Sequence, residues 1–389
     1  MNTIHVSDNR LPMLYTFFTL DRIKIDLSQG DFFMKLRSVN DIQSRTFTLI
    51  YPVYNLIISK NIGGELRVER VLFISKEKIP RVRKKLGFKK KISEMNKIWV
   101  KYNLPKLFDT APSFAIIKIR RSPEDELIKP VNEIKEALWI LSSSQFSRRR
   151  DTVEYFGLPE HQANLITEFY LYDSKEKRSV RSFNKVSPVR PYILDRDWKY
   201  YMKNHFFPYL LKILNKRINA EPKWRQNIRN AAILAGKSFF SKELSTAFLY
   251  NMIAIEALLC YQGDRFPDSI IDRLNAMFGW LSEEDSNIWK PIIKRLYELR
   301  CQIVHTGYAR DLKTKDLIAS DNILFNLLYN ICRFIKKFPS KKSLIDFSEK
   351  VRARRILGQK IKERPNFKYC ISHMSNSTIT RIKKKNHWP

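Results

Sequence analysis

Acidic residues, glycine, cysteine and histidine are all scarce in this chain. Asp and Glu together number 39 against 72 Lys and Arg in 389 residues, a formal net charge of +33. With 10 glycines, large glycine-rich phosphate loops are not expected. The four cysteines are Cys260, Cys301, Cys332 and Cys370, and none pair at Cys-x2-Cys spacing. The six histidines are scattered and no His-Glu-x-x-His occurs. A zinc site is therefore not expected, and neither a metal nor another cofactor is implied. Unpaired cysteines at core-like helical positions fit a reduced, cytoplasmic setting. Long apolar runs are missing too. The longest, near Ala247–Cys260, is interrupted by Asn251 and Glu256 and is too short to span a bilayer. Met1–Leu20 lacks the layout of a signal peptide. The expectation is a soluble protein with no membrane partner.

What is present is material for cores: 44% hydrophobic and 13% aromatic residues. The length exceeds that of one ordinary core and predicts two domains. Residues 1–195 read as a mixed α+β domain of unknown role. Arg45–Lys60 is rich in β-branched and aromatic residues, and Asn61–Gly64 supplies a turn. Glu65–Ser75 then reads as the returning strand of a hairpin. Ser113–Arg120 and Thr167–Tyr172 read as further strands, Lys78–Leu86 and Val131–Leu141 as helices, and Ser174–Pro191 as a linker. Residues 196–345 read as all-α, with one helix over Trp198–Leu214 kinked or interrupted by Pro208. Residues 346–389 read as a basic tail, flexible from Tyr369 onward.

A charge of this size repels itself unless a polyanion is near, and nucleic acid is the first candidate, RNA above all. Two runs carry the strongest local charge. One holds Arg81, Arg83, Lys84, Lys85, Lys89, Lys90 and Lys91, and the other Arg148, Arg149 and Arg150. Such runs are solvated faces or phosphate contacts. Phe88 inside the first allows base stacking.

In the helical half, Phe248, Met252, Ile255 and Leu259 share one face, with Leu249, Ile253 and Glu256 in the adjacent row. A carboxylate among apolar neighbours needs a cation, Arg273 or Arg300. The predicted structural ion pair is Glu256 with Arg273. Losing the carboxylate is expected to cost about 3–5 kcal/mol if both partners are buried.

The segment Leu296–Gly307 reads LYELRCQIVHTG and places Arg300 and His305 at Arg-x4-His spacing near the end of an amphipathic helix. Before it come Ala254-Ile255-Glu256-Ala257-Leu258, closing an apolar helix, and then Asp272-Arg273-Leu274. The ordered trio resembles the Apea-like group of HEPN domains, small helical bundles with an Arg-x(4–6)-His motif. The resemblance covers about a third of the chain. It implies a HEPN-like bundle, a homodimer, metal-independent endoribonuclease activity, and a role in microbial defence or toxin-like action.

The residue types suit the chemistry. RNA can be cut by its own 2′-hydroxyl, leaving a 2′,3′-cyclic phosphate. This needs a base and an acid, and histidine titrates near neutrality. A guanidinium fork stabilises the growing phosphoryl charge. On an ideal helix Arg300 and His305 lie about 140° apart, so they converge only if the helix breaks near Val304 or if two copies share a site. The alternative is a non-catalytic nucleic-acid-binding or assembly module. In it Arg300 pairs with Glu256, and His305 is a helix-end residue favoured by the dipole. Cys301, where active members commonly carry a polar residue such as Asn, fits that alternative. A DNA-modifying enzyme is a third reading, without an acidic metal cluster in the sequence.

Overall fold

A computed structural model describes residues 46–86, 111–120, 128–146, 154–157, 166–173, 178–185, 190–279, 289–359 and 365–369. Contacts divide the chain into two compact units. The first comprises Met1–Lys135 and Glu154–Arg196, the second Glu136–Val153 and Asp197–Pro389. A small, mainly antiparallel sheet region therefore precedes a helical region.

The first unit is built on a four-stranded antiparallel sheet in the order β1-β5-β4-β3. Its strands are β1 (Thr46–Val53), β3 (Glu65–Val68), β4 (Val71–Ser75) and β5 (Ser113–Arg120). β1 lies against β5 from Thr46↔Arg120 to Val53↔Ser113. The hairpin expected between Arg45–Lys60 and Glu65–Ser75 does not form. β3 and β4 make the hairpin themselves, because Glu69 takes a left-handed φ of 53° and turns the chain within that segment. β2 (Leu56–Ile58) pairs in parallel with β8 (Tyr192–Leu194). The Ser113 hydroxyl donates to the Leu56 carbonyl at 2.6 Å and so joins β5 to β2.

All five β4 residues are buried, as are Phe114, Ala115 and Ile117 of β5. Such continuously apolar strands are shielded on both faces. Helix α1 (Ile79–Leu86) follows β4. The supposed linker contains a strand: β7 (Arg178–Lys185) pairs antiparallel with β6 (Ile166–Asp173). Its sequence is polar and its two apolar residues, Val180 and Phe183, fall at positions of opposite parity, so no period-2 pattern marked the strand.

Helix α2 (Ile128–Ser142) contributes residues from Glu136 onward to the helical unit. There Trp139 meets α5 (Pro222–Phe240) at Gly236. A Cβ on Gly236 would lie 1.9 Å from the Trp139 carbonyl oxygen, so only glycine permits this approach. Glu136 pairs with Arg229 at 2.7 Å beside it.

The expected helix over Trp198–Leu214 is two helices, α3 (Arg196–Tyr201) and α4 (Phe207–Leu214). His205 is extended between them, and its Nδ1 accepts the Phe207 N–H at 3.0 Å. Pro208 starts α4 rather than kinking a longer helix, since its missing N–H has no partner to lose in a first turn.

The rest of the unit comprises α5, α6 (Leu244–Leu259), α7 (Phe266–Phe278), α8 (Trp289–Thr306), α9 (Thr314–Arg333) and α10 (Lys341–Ile356). Phe248, Ile255, Leu296 and Leu328 are all buried. α9 is buried almost throughout, polar residues included. Asn251 of α6 donates to the Ser320 hydroxyl at 2.9 Å and to Asp321 at 2.7 Å. α10 carries the chain past the expected boundary at residue 345. Beyond it Asn330 clamps the Lys368 backbone, donating to its carbonyl at 2.7 Å and accepting its N–H at 3.0 Å. Phe367 is thereby buried among Phe278, Phe334, Phe338 and Phe347. Among the described residues, no helix is long and apolar enough to cross a membrane.

Candidate functional site

Arg300 and His305 lie on α8, whose apolar stripe of Trp289, Ile293, Leu296, Leu299 and Ile303 is buried. Arg300 follows Leu299, at the edge of that stripe. Its guanidinium reaches Glu256 of α6, with Nε 3.2 Å from Oε1 and Nη2 donating to Oε2 at 3.3 Å. The contact is loose: neither Nε nor Oε1 makes an aligned hydrogen bond. Burial pushes the Glu256 carboxyl above the usual range, and Arg300 pulls it back only in part. The guanidinium also lies 5.8 Å from the centre of the Tyr297 ring.

The predicted Glu256–Arg273 pair is not formed. Arg273 is buried on α7, where it ion-pairs with Asp264 at 2.6 Å and donates to the Leu259 carbonyl that ends α6. Asp264 also accepts the Tyr261 N–H at 2.8 Å. Arg273 thus clamps the α6–α7 turn, and Glu256 is left to the helix beside it. Asp264 sits in a turn, where periodicity carries no information about partners.

α8 continues unbroken through Val304 and His305. It ends at Gly307, whose left-handed φ of 74° and bond to the Ile303 carbonyl at 2.8 Å close the last turn. Helical geometry then keeps Arg300 and His305 about 140° apart, so one chain does not bring them to one phosphate. His305 is exposed. Val304 and Tyr308 beside it are 51% and 63% exposed, and Ile253, one turn before Glu256, is 42% exposed. Cys301 is half-buried.

A second ion pair escaped the sequence reading. Arg295 grips Asp316 with two bonds, Nε to Oδ1 at 2.7 Å and Nη2 to Oδ2 at 2.9 Å, and so ties α8 to the start of α9. Burial opposes ionisation of Asp316, but Arg295 and the Lys313 N–H more than offset it and hold the carboxyl below the usual range. Asp316 at the third position of α9 was a legible capping signal; its partner, 21 residues earlier, was not.

Among the described residues, no group of three or more His, Cys, Asp or Glu side chains lies together as a metal ligand set. Of the basic runs, Arg81 is exposed at the third position of α1. The side chains of Arg83, Lys84 and Lys85 lie outside the described residues, as do Lys89, Lys90, Lys91, Arg148, Arg149 and Arg150 altogether. No protein-family model, curated protein or solved structure matches the chain.

Proposed function

We propose that this chain is an RNA-directed protein of the HEPN kind, a metal-independent endoribonuclease that builds its site from two copies of itself. The observation that carries the reading is the state of the two motif residues. Arg300 keeps part of its side chain at the surface, and His305 stands exposed at the end of the same helix. Because α8 is unbroken, the reading needs a second copy to complete the site. The exposed Val304, Tyr308 and Ile253 offer that copy an apolar surface.

In such a site two histidines, one from each copy, supply base and acid. One takes the proton of the 2′-hydroxyl as its oxygen bonds to phosphorus. The other protonates the departing 5′-oxygen as the P–O bond breaks. The outward edge of the Arg300 guanidinium meets the phosphoryl oxygens.

The test is cleavage of end-labelled RNA by the purified full chain. Cleavage is expected to survive EDTA, to leave 2′,3′-cyclic phosphate ends and to stop when the scissile sugar is 2′-deoxy. His305→Ala and Arg300→Ala should each abolish it while leaving the fold intact by circular dichroism. Full activity in either variant overturns the assignment.

A second reading, the non-catalytic nucleic-acid-binding or assembly module, is favoured by the engagement of Arg300 with Glu256 and by Cys301. RNA binding without cleavage, both in the natural chain and in Cys301→Asn, selects it.

A further inference from the structure

The helical unit holds an open cavity of about 650 Å³ between the end of α4 with the turn after it and the turn that joins α9 to α10. Its walls are Lys212, Arg217, Ile218, Asn219, Lys336 and Pro339. Three are cations and none is an acid. Glu221, the acid next in sequence, uses its backbone N–H to bind the Pro339 carbonyl at 2.8 Å, and its side chain is not part of the wall. Lys216 and Lys337 add charge to the same two segments. Without a bound anion, cations gathered in one concavity only repel one another.

The backbone on both sides is fixed, and Lys212, Arg217 and Lys336 extend from it as exposed side chains. Arg217 and Ile218 donate their N–H groups to the Lys212 carbonyl at 2.8 and 3.3 Å. Lys216 turns the chain with a left-handed φ of 57°, in a position that favours glycine. Opposite, buried Trp224 donates Nε1–H to the Phe338 carbonyl at 3.1 Å and holds the backbone before Pro339. The Lys212 ammonium lies 5.8 Å from the centre of the Tyr209 ring.

We infer that this cavity binds the phosphate monoester of a nucleotide. The Arg217 fork and the two ammonium groups match a doubly charged phosphate. Ile218 and Pro339 offer an apolar wall to ribose or base, and the Asn219 amide can both donate to and accept from a base edge. The ligand is a free nucleotide or the 5′-phosphorylated end of an RNA, and the inference stands apart from any role of Arg300 and His305.

The experiment is equilibrium binding to the full-length chain. The probes are AMP, adenosine, and one short RNA made with either a 5′-phosphate or a 5′-hydroxyl. Binding is expected to favour a phosphate-bearing probe over its unphosphorylated counterpart by about tenfold or more. That preference should vanish in Arg217→Ala and Lys336→Ala and persist in Lys290→Glu, an equal or larger charge change at an exposed site on α8. AMP binding identifies a free nucleotide, and preference confined to the RNA pair identifies an RNA end. The inference is overturned if neither phosphate-bearing probe is preferred. It is equally overturned if the preference survives both cavity variants, or falls as far in Lys290→Glu.

Discussion

Replacing Glu256 by glutamine separates two effects that a single salt-bridge distance conflates. At an effective dielectric near 20, two charges about 4 Å apart attract by about 4 kcal/mol, and partial removal from water takes back a similar amount. Here burial wins at the carboxylate, whose pKa lies above the ordinary glutamate range despite Arg300. The folded chain therefore holds that proton more tightly than the unfolded chain. The stabilisation this gives is complete below the unfolded value and is lost as pH rises through the folded one.

The expected loss of 3–5 kcal/mol assumed two buried partners, yet the Glu256 and Arg300 side chains keep 13% and 21% of their surface. Glu256→Gln removes a carboxylate that is costly to ionise, so near pH 8 it should alter stability by no more than about 1 kcal/mol. Arg300→Ala does the opposite: it strands the carboxylate. It should cost about 2 kcal/mol near pH 8 and less near pH 5, because a carboxyl whose pKa is raised by burial is closer to its neutral form there. Urea unfolding followed by helical circular dichroism at both pH values measures this, with midpoints compared at unchanged slope. A loss above about 2 kcal/mol in Glu256→Gln near pH 8 would refute the reasoning, because pairing would then outweigh burial.

Three further outcomes follow from other contacts. Gly236→Ala should destabilise by about 1–3 kcal/mol, since a methyl group cannot share space with the Trp139 carbonyl, and an unchanged melting temperature would contradict that approach. Asp316→Asn should weaken the α8–α9 junction near neutral pH. The depressed carboxyl gives stability that is present above its unfolded pKa and lost as pH falls through the folded one, so the variant's unfolding profile should flatten on the acid side. Neutralising Arg81, Arg83, Lys84 and Lys85 together should weaken RNA binding about equally for all sequences and reduce the salt slope by up to about 3; unchanged affinity removes that run from the binding surface.

The helical half was legible from the sequence because buried faces recur at the helical period over long stretches. Phe248, Ile255, Leu296 and Leu328 follow from that rhythm alone, and the Arg300–His305 spacing with its Gly307 stop is local as well. Net charge, which sums over residues, also needs no fold. Tertiary structure decided what depends on partners distant in sequence. It joined β1 to β5 across some sixty residues of chain, because strand pairing follows from what the sheet must cover and not from the nearest turn. It gave Glu256 to Arg300 and Arg273 to Asp264, a choice between two arginines that periodicity leaves open. It kept α8 intact through His305, so that two residues five apart in sequence face different directions. The basic cavity arose in the same way, from Lys212 and Arg217 on one segment and Lys336 on another, which only the packing of α4 against α9 makes neighbours.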